Sequence, residues 1–172
     1  MDIADAGLRR QIAGLLPELR AFARFLARDR AVADDLVQDA VVRALAALHQ
    51  FQPDPARPGG GLKAWLFTIL RNAFYEQTRR RKREAAAIEA SFATDEAAAP
   101  AQEARAEITD LQQLIWRLPP LLREALILVG AQELSHEEAA IVCAVPVGTM
   151  KARLSRARVA LANAIKAAEL AH

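Results

Sequence analysis

An all-α fold made of two small helical domains joined by a flexible linker is the architecture the sequence predicts, and three observations predict it. Of 172 residues, 39 are Ala, while Val and Ile together number 18, so helix formers far outnumber the β-branched residues that strands favour. Apolar side chains recur at three- and four-residue spacing in several separate stretches, the period of a helix with one buried face. Between the first group of stretches and the second lies Ala85 to Ala106, which has few large apolar residues and no sustained stripe. That segment reads as a tether, so the expected division is a domain over residues 1–84, a linker over 85–106 and a second domain over 107–172.

The elements follow in order. Leu15, Leu19, Phe22 and Leu26 define one amphipathic helix, and Val32, Leu36, Ala40 and Ala44 define the next, whose opposite face carries Asp35, Gln38, Asp39, Val42 and Arg43. Residues 51–61 contain three Pro and three Gly, which cannot continue a helix and require a loop. Leu62 to Leu70 and Phe74 to Lys82 read as two helices with a break at Arg71-Asn72-Ala73. Beyond the tether, Ile108, Leu111, Ile115 and Leu118 form a stripe stopped by Pro119-Pro120, and Leu122, Leu126 and Val129 form another that stops near Gly130. Ser135-His-Glu-Glu138 is a capping box that starts a short helix. That helix ends near Cys143-Ala144-Val145-Pro146, and a longer basic helix runs from Val147 to about Ala168.

Composition removes several classes of function. The single cysteine, Cys143, rules out an internal disulfide framework and any CxxC metal knuckle. His49, His136 and His172 lie far apart and fit no metal-ligand spacing, and no Gly-rich phosphate loop follows a strand. No stretch approaches the apolar length of a membrane span, and the N-terminus lacks a signal-peptide core. The expectation is a cytoplasmic protein that is not an enzyme, with no cofactor, no small-molecule substrate and no membrane insertion.

Charge is distributed unevenly. The net charge is +2 overall, but +5 over residues 1–84, −4 over 85–117 and +1 over 118–172. Positive charge concentrates in Arg79-Arg80-Arg81-Lys82-Arg83 and in Lys151, Arg153, Arg156, Arg158 and Lys166, with no acid between Val147 and Lys166. Two separate anion-facing patches are implied. Arg outnumbers Lys 19 to 4, a bias that suits phosphates and guanine edges and equally fits codon composition.

The helix, short turn and basic helix of Ser135–Ala160 form a candidate helix-turn-helix, with Val142, Val145, Met150 and Leu154 placed for a small core. Thr149, Lys151, Ala152, Ser155 and Arg156 then fall on the outward face at the end of the second helix that enters a major groove, with Arg153 and Arg158 able to hold phosphates. The competing reading is a plain helical hairpin with a basic solvent face. Four of the nine aromatic residues, Trp65, Phe67, Phe74 and Tyr75, precede the Arg79–Arg83 run. Stacking side chains beside basic ones suit unpaired DNA, although Trp65 and Ile69 sit one turn apart, as core residues do. The Asp35, Gln38, Asp39, Arg43 face taken alone reads as solvated surface.

Together these segments resemble a bacterial RNA polymerase sigma factor of the extracytoplasmic-function (ECF) type. The resemblance is carried by Asp34-Asp-Leu-Val-Gln-Asp-Ala40, Lys63-Ala-Trp-Leu-Phe-Thr-Ile-Leu-Arg-Asn72 and Pro146-Val-Gly-Thr-Met-Lys-Ala-Arg-Leu-Ser-Arg-Ala-Arg158, in that order and spacing. It implies that Asp35, Gln38, Asp39 and Arg43 grip core RNA polymerase. It further implies that Asn72, Ala73 and Phe74 form a loop capturing a base flipped from the minus-ten element, with Arg79, Arg80, Arg81 and Arg83 along the adjacent backbone. Lys151, Ala152, Ser155 and Arg156 would read the minus-thirty-five element of promoter DNA, with Thr149 and Arg153 on its phosphates. An anti-sigma factor is an implied partner. Two features depart from the family: Ala144 stands where many members have Gly, and the loop at Pro53–Gly61 is unusually rich in Pro and Gly. A stand-alone helix-turn-helix regulator and a decoy that titrates an anti-sigma factor are the alternatives; the sequence leaves open how the two domains sit in the free protein, a compact inactive form with the Ala85–Ala106 tether folded along the packed domains being one hypothesis.

Overall fold

In a computed structural model of the chain, residues 3–91 and 110–170 are described, and within them the protein is helical with no strand. The first half contains α1 (Ile3–Gly14), α2 (Leu16–Leu26), α3 (Arg30–Ala46) and α4 (Leu62–Ser91). The second contains α5 (Asp110–Arg117), α6 (Pro120–Leu126), α7 (His136–Cys143) and α8 (Val147–Glu169).

The apolar stripes account for the first core. Leu19, Phe22 and Leu26 of α2 and Leu36, Ala40 and Ala44 of α3 are buried as their spacing requires. Phe22 stacks on Phe67 of α4 with ring centroids 5.0 Å apart, a geometry worth about 1 kcal/mol beyond the area buried. The Asp29 side chain accepts from the Val32 amide at 2.9 Å and caps α3. After the Pro/Gly loop, Gly61 turns the chain into α4 at φ +78, with the Arg57 side chain 3.2 Å from where a Cβ would stand.

Three local expectations change. α1 lacks an apolar stripe and escapes pattern reading, although it is composed largely of good helix formers. The break at Arg71-Asn72-Ala73 does not occur: α4 is one helix of 30 residues. Neither Pro nor Gly interrupts it, and the helix cost of a single Asn, under about 1 kcal/mol, yields to burial of Leu70 and Ala73 on either side. The tether read from Ala85 is helical as far as Ser91, because Ala and Glu propagate a helix without needing a buried face. The remaining tether residues lie outside the described residues.

In the second half, Arg123 donates to the carbonyls of Trp116 and Leu118 at the end of α5, satisfying acceptors the helix leaves open. α6 passes into a wider turn, Ile127–Ala131, closed by Gln132 N–H to the Ile127 carbonyl at 2.8 Å. The capping box at α7 forms as expected, with Ser135 Oγ accepting from Glu138 N and Glu138 Oε2 accepting from Ser135 N, each at 3.0 Å. The turn between α7 and α8 is made by Ala144 at φ 53, ψ 47, the left-handed conformation that Gly occupies most readily. The turn therefore keeps its shape despite the absent Gly, at a local cost.

The two halves pack on each other. The buried set runs from Leu66, Leu70 and Ala73 of α4 into Ala125, Leu128, Ala140 and Cys143 of the second half. Lys63 Nζ donates to the Gln132 carbonyl at 2.7 Å. Trp116 stacks on Phe25 at 6.3 Å, between the guanidinium groups of Arg28 and Arg123.

Ala144→Gly should stabilise the chain by about 1 kcal/mol, by relieving a left-handed non-glycine residue. Urea unfolding checks this, and an unchanged or lower midpoint contradicts it. Burial, and then Glu124 beside it, push the Cys143 thiol up to about 12. Iodoacetamide near pH 8 should therefore leave it unmodified in the native chain for far longer than in urea, where a cysteine of ordinary pKa about 8.5 reacts freely. Equal rates in the two states would show that Cys143 is not held in this environment.

Candidate polymerase and nucleic-acid interfaces

The outward face of α3 is opposite its core stripe. Asp35, Gln38 and Arg43 are exposed, Asp39 is half-buried, and Val42 is 65% exposed in their midst. Arg43 Nε donates to Asp39 Oδ1 at 3.0 Å, and its Nη1 donates to Glu76 Oε2 of α4 at 2.6 Å. Donating to Glu76, and then to Asp39, raises the Arg43 pKa, and accepting from Arg43 lowers that of Glu76. A charged surface with one large apolar residue, buttressed from a second helix, has the make-up of a protein-docking patch.

On α4 the expected minus-ten residues separate by face. Asn72 is exposed and Phe74 half-buried, its ring edge-on to Tyr75 at 5.2 Å. Ala73 is fully buried in this free form, and the segment expected to display it as a loop is helix. Trp65 packs on Phe51 at 5.1 Å and Phe67 lies in the core, so both serve the fold. Arg79, Arg80, Arg81 and Arg83 are exposed on the outer half of α4. Arg80 pairs with Glu84 at 2.8 Å, a solvent-exposed pair of little energetic weight.

On α8, Met150, Leu154 and Ala157 face inward. The helical period then sets Lys151, Ser155 and Arg156 outward, where they are exposed, and leaves Thr149, Ala152 and Arg153 half-buried at the flank. The first turns of α8 thus present a basic surface with short polar residues, a shape a major groove admits.

Sequence reading passed over the junction between the halves. Glu124 of α6, 4% exposed, accepts from Arg71 Nε at 2.9 Å through Oε2 and from the Tyr75 hydroxyl through Oε1, with Cys143 Sγ at 3.7 Å. Arg71 also lies over the Tyr75 ring at 4.6 Å. Burial first, and then the Glu124 carboxylate, raise the Tyr75 pKa, so the phenol remains a donor. The one available clue was the i, i+4 spacing of Arg71 and Tyr75. Nothing local tied either to an acid about 50 residues away in the chain. A cleft beside this knot is lined by Arg71, Asn72, Tyr75, Glu76, Arg79 and Leu121.

No helix among the described residues is long and apolar enough to cross a membrane, and no cluster of His, Cys, Asp and Glu there could hold a metal ion.

Comparison with known proteins agrees with this geometry. Residues 12–84 match the Sigma-70 region 2 family and residues 108–161 the Sigma-70, region 4 family. The chain is 45% identical over 158 residues to the ECF RNA polymerase sigma factor EcfG of Rhodopseudomonas palustris (strain TIE-1), covering 92% of this chain and 84% of that protein. It resembles the sigma factor RpoE of Bartonella quintana, solved with the anti-sigma factor NepR, at TM-score 0.73 and 41% identity, over 91% of this chain and 95% of that one. It also resembles CnrH, solved with the cytosolic domain of CnrY, at TM-score 0.62 and 27% identity, over 96% of both chains. With both regions matched in order and a relative this similar along nearly the whole length, the chain belongs to the extracytoplasmic-function RNA polymerase sigma factors.

Proposed function

We propose that this sigma factor divides promoter recognition between its halves, with α3 holding core RNA polymerase, α4 the melted minus-ten strand and α8 the minus-thirty-five duplex. What supports this division most directly is that two basic faces, Arg79–Arg83 and Lys151–Arg156, stand on different helices of different halves, while the mixed face is carried by a third helix, α3. Docking on α8 uses phosphates for register and base edges for identity. Capture by α4 stabilises an unstacked base against a cost of a few kcal/mol. Neither contact need be strong, because attachment of both to the polymerase raises the effective concentration of each. The polymerase carries out the chemistry. The protein's place is the cytoplasm, where core polymerase is found, and an anti-sigma factor restrains it, by analogy with the structural relatives solved with NepR and CnrY.

On the DNA side, Asn72, Ala73, Phe74, Arg79, Arg80, Arg81 and Arg83 make the minus-ten contacts, Ala73 only once the second half that covers it in the free form has moved off. Lys151, Ala152, Ser155 and Arg156 meet the minus-thirty-five bases, with Thr149 and Arg153 on the flanking phosphates. A stand-alone regulator would leave the polymerase-facing half without a purpose.

Run-off transcription with purified core polymerase over a genomic promoter library tests the reading. Discrete new start sites preceded by two spaced sequence boxes are expected, and a chain that binds core without initiating would overturn it. Lys151→Ala or Arg156→Ala should reduce promoter-specific initiation by about five- to a hundredfold, the equivalent of one lost base or phosphate contact, while core binding persists. Asp39→Arg should do the reverse, abolishing core capture in a pull-down while circular dichroism remains helical. Loss of core binding in Lys151→Ala or Arg156→Ala, or undiminished core capture by a folded Asp39→Arg, would contradict the division.

A further inference from the structure

We propose that Arg71 and Tyr75 form a binding site for a phosphate of the promoter strand, and that the Glu124 carboxylate occupies this site in the free chain, so that strand binding by α4 and docking of the second half exclude each other. The inference rests on the reading of α4 as the strand-binding helix. It adds a site to that helix and identifies what covers it.

The geometry carries it. A carboxylate and a phosphate present the same feature to a protein, a pair of anionic oxygens that a guanidinium fork and a hydroxyl can grip together. Arg71 Nε and the Tyr75 hydroxyl converge on the two oxygens of one carboxylate. Arg71, Tyr75 and Arg79 recur at intervals of four along α4, which sets them on one face of the helix, and all three line the same cleft with Asn72. The face therefore runs from Arg71 to the exposed arginines in a single anion-facing track, and Glu124 sits at its inner end. Glu76, the acid that lines the cleft, is held by Arg43, which also holds Asp39. Across the cleft stands Leu121 of α6, so the helix that delivers the carboxylate also narrows the approach to Asn72. When α6 moves away, Arg71 loses its counter-anion, and a backbone phosphate can replace it on the same donors.

The test uses the full chain and compares the wild type with Glu124→Gln, which keeps the shape and removes the charge. The probe is a mixed-sequence single-stranded DNA of about 20 nucleotides, titrated at several salt concentrations. Glu124→Gln should bind it about tenfold more tightly, because a larger fraction of the chain is competent. The slope of log affinity against log salt should be the same in the two, since each binds with Arg71 on a phosphate, and adding Arg71→Ala to Glu124→Gln should lower the slope by about 0.7 and cancel the gain in affinity. If Glu124→Gln loses its helical circular dichroism, the otherwise unaltered chain decides: in a Trp65→Phe background, Trp116 emission reports its packing on Phe25 and should shift as DNA saturates. Unchanged affinity in a folded Glu124→Gln, an unchanged slope on adding Arg71→Ala, or saturation with DNA without any shift in Trp116, would overturn the proposal. Run-off initiation by the wild type separates the two levels. Initiation with no effect of Glu124→Gln on DNA binding removes the phosphate site alone, whereas absence of initiation removes the sigma reading beneath it.

Discussion

The buried carboxylate of Glu124 is the constraint on which the arrangement of the two halves depends. Removing a carboxylate from water costs several kcal/mol, and only a well-formed partner set offsets it. Here the set comes from the other half of the molecule, a guanidinium and a phenol one turn apart on α4, with the thiol of Cys143 closing the remaining side. Removing one partner from such a pair is expensive. Separating the halves with both partners intact returns both to water, and the net loss is small. A junction of this kind holds a defined closed form and still opens, which a purely apolar seam of the same size would resist. The apolar contacts around it, Leu70 and Ala73 against Ala125 and Leu128, add a non-directional attraction that the ion pair gives a register.

Helix α4 is the spine of this arrangement. At 30 residues it is about 45 Å long, enough to belong to the first core at its start, the junction at its middle and solvent at its basic end. Its inner turns place Leu66, Phe67 and Leu70 under α2 and α3, and its outer turns carry Arg79 to Arg83 free of either half. Continuity through Arg71-Asn72-Ala73 matters for function, because only an unbroken helix brings Arg71, Tyr75 and Arg79 into line. The bond from Arg43 to Glu76 couples the same helix to the α3 face. A displacement of α4 would therefore be felt at the polymerase-facing surface, at the strand-facing surface and at the junction.

Much of this was legible from residue patterns. The stripes of α2 and α3, the capping box at Ser135 and the inward set of α8 all follow from period and cap chemistry, which is written in residues a few positions apart even where the packing partner is distant, as Phe67 is from Phe22. The outward sets on α3 and α8 were legible as their complements. What the pattern concealed had non-local causes. Ala73 lies in the core because of what packs across from it, and α1 and the stretch to Ser91 are helical through propensity without a stripe. Ala144 turns left-handed because the packing of α7 on α8 outweighs about 1 kcal/mol of local strain. The Glu124 knot depends on a partner half a chain away, a pairing that no local window contains. The two halves pack together, an arrangement the sequence left open, and the residues that hold it together had no signature there; a tether folded along them falls largely outside the described residues.

Small-angle X-ray scattering on the free chain tests the central claim, that the two halves are docked in the absence of polymerase. A docked chain of 172 residues should show a radius of gyration near that of a single compact domain, about 16 Å. A radius well above that, with the profile of two bodies moving independently, would show that Glu124, Arg71 and Tyr75 do not meet in solution and would contradict the account at its base.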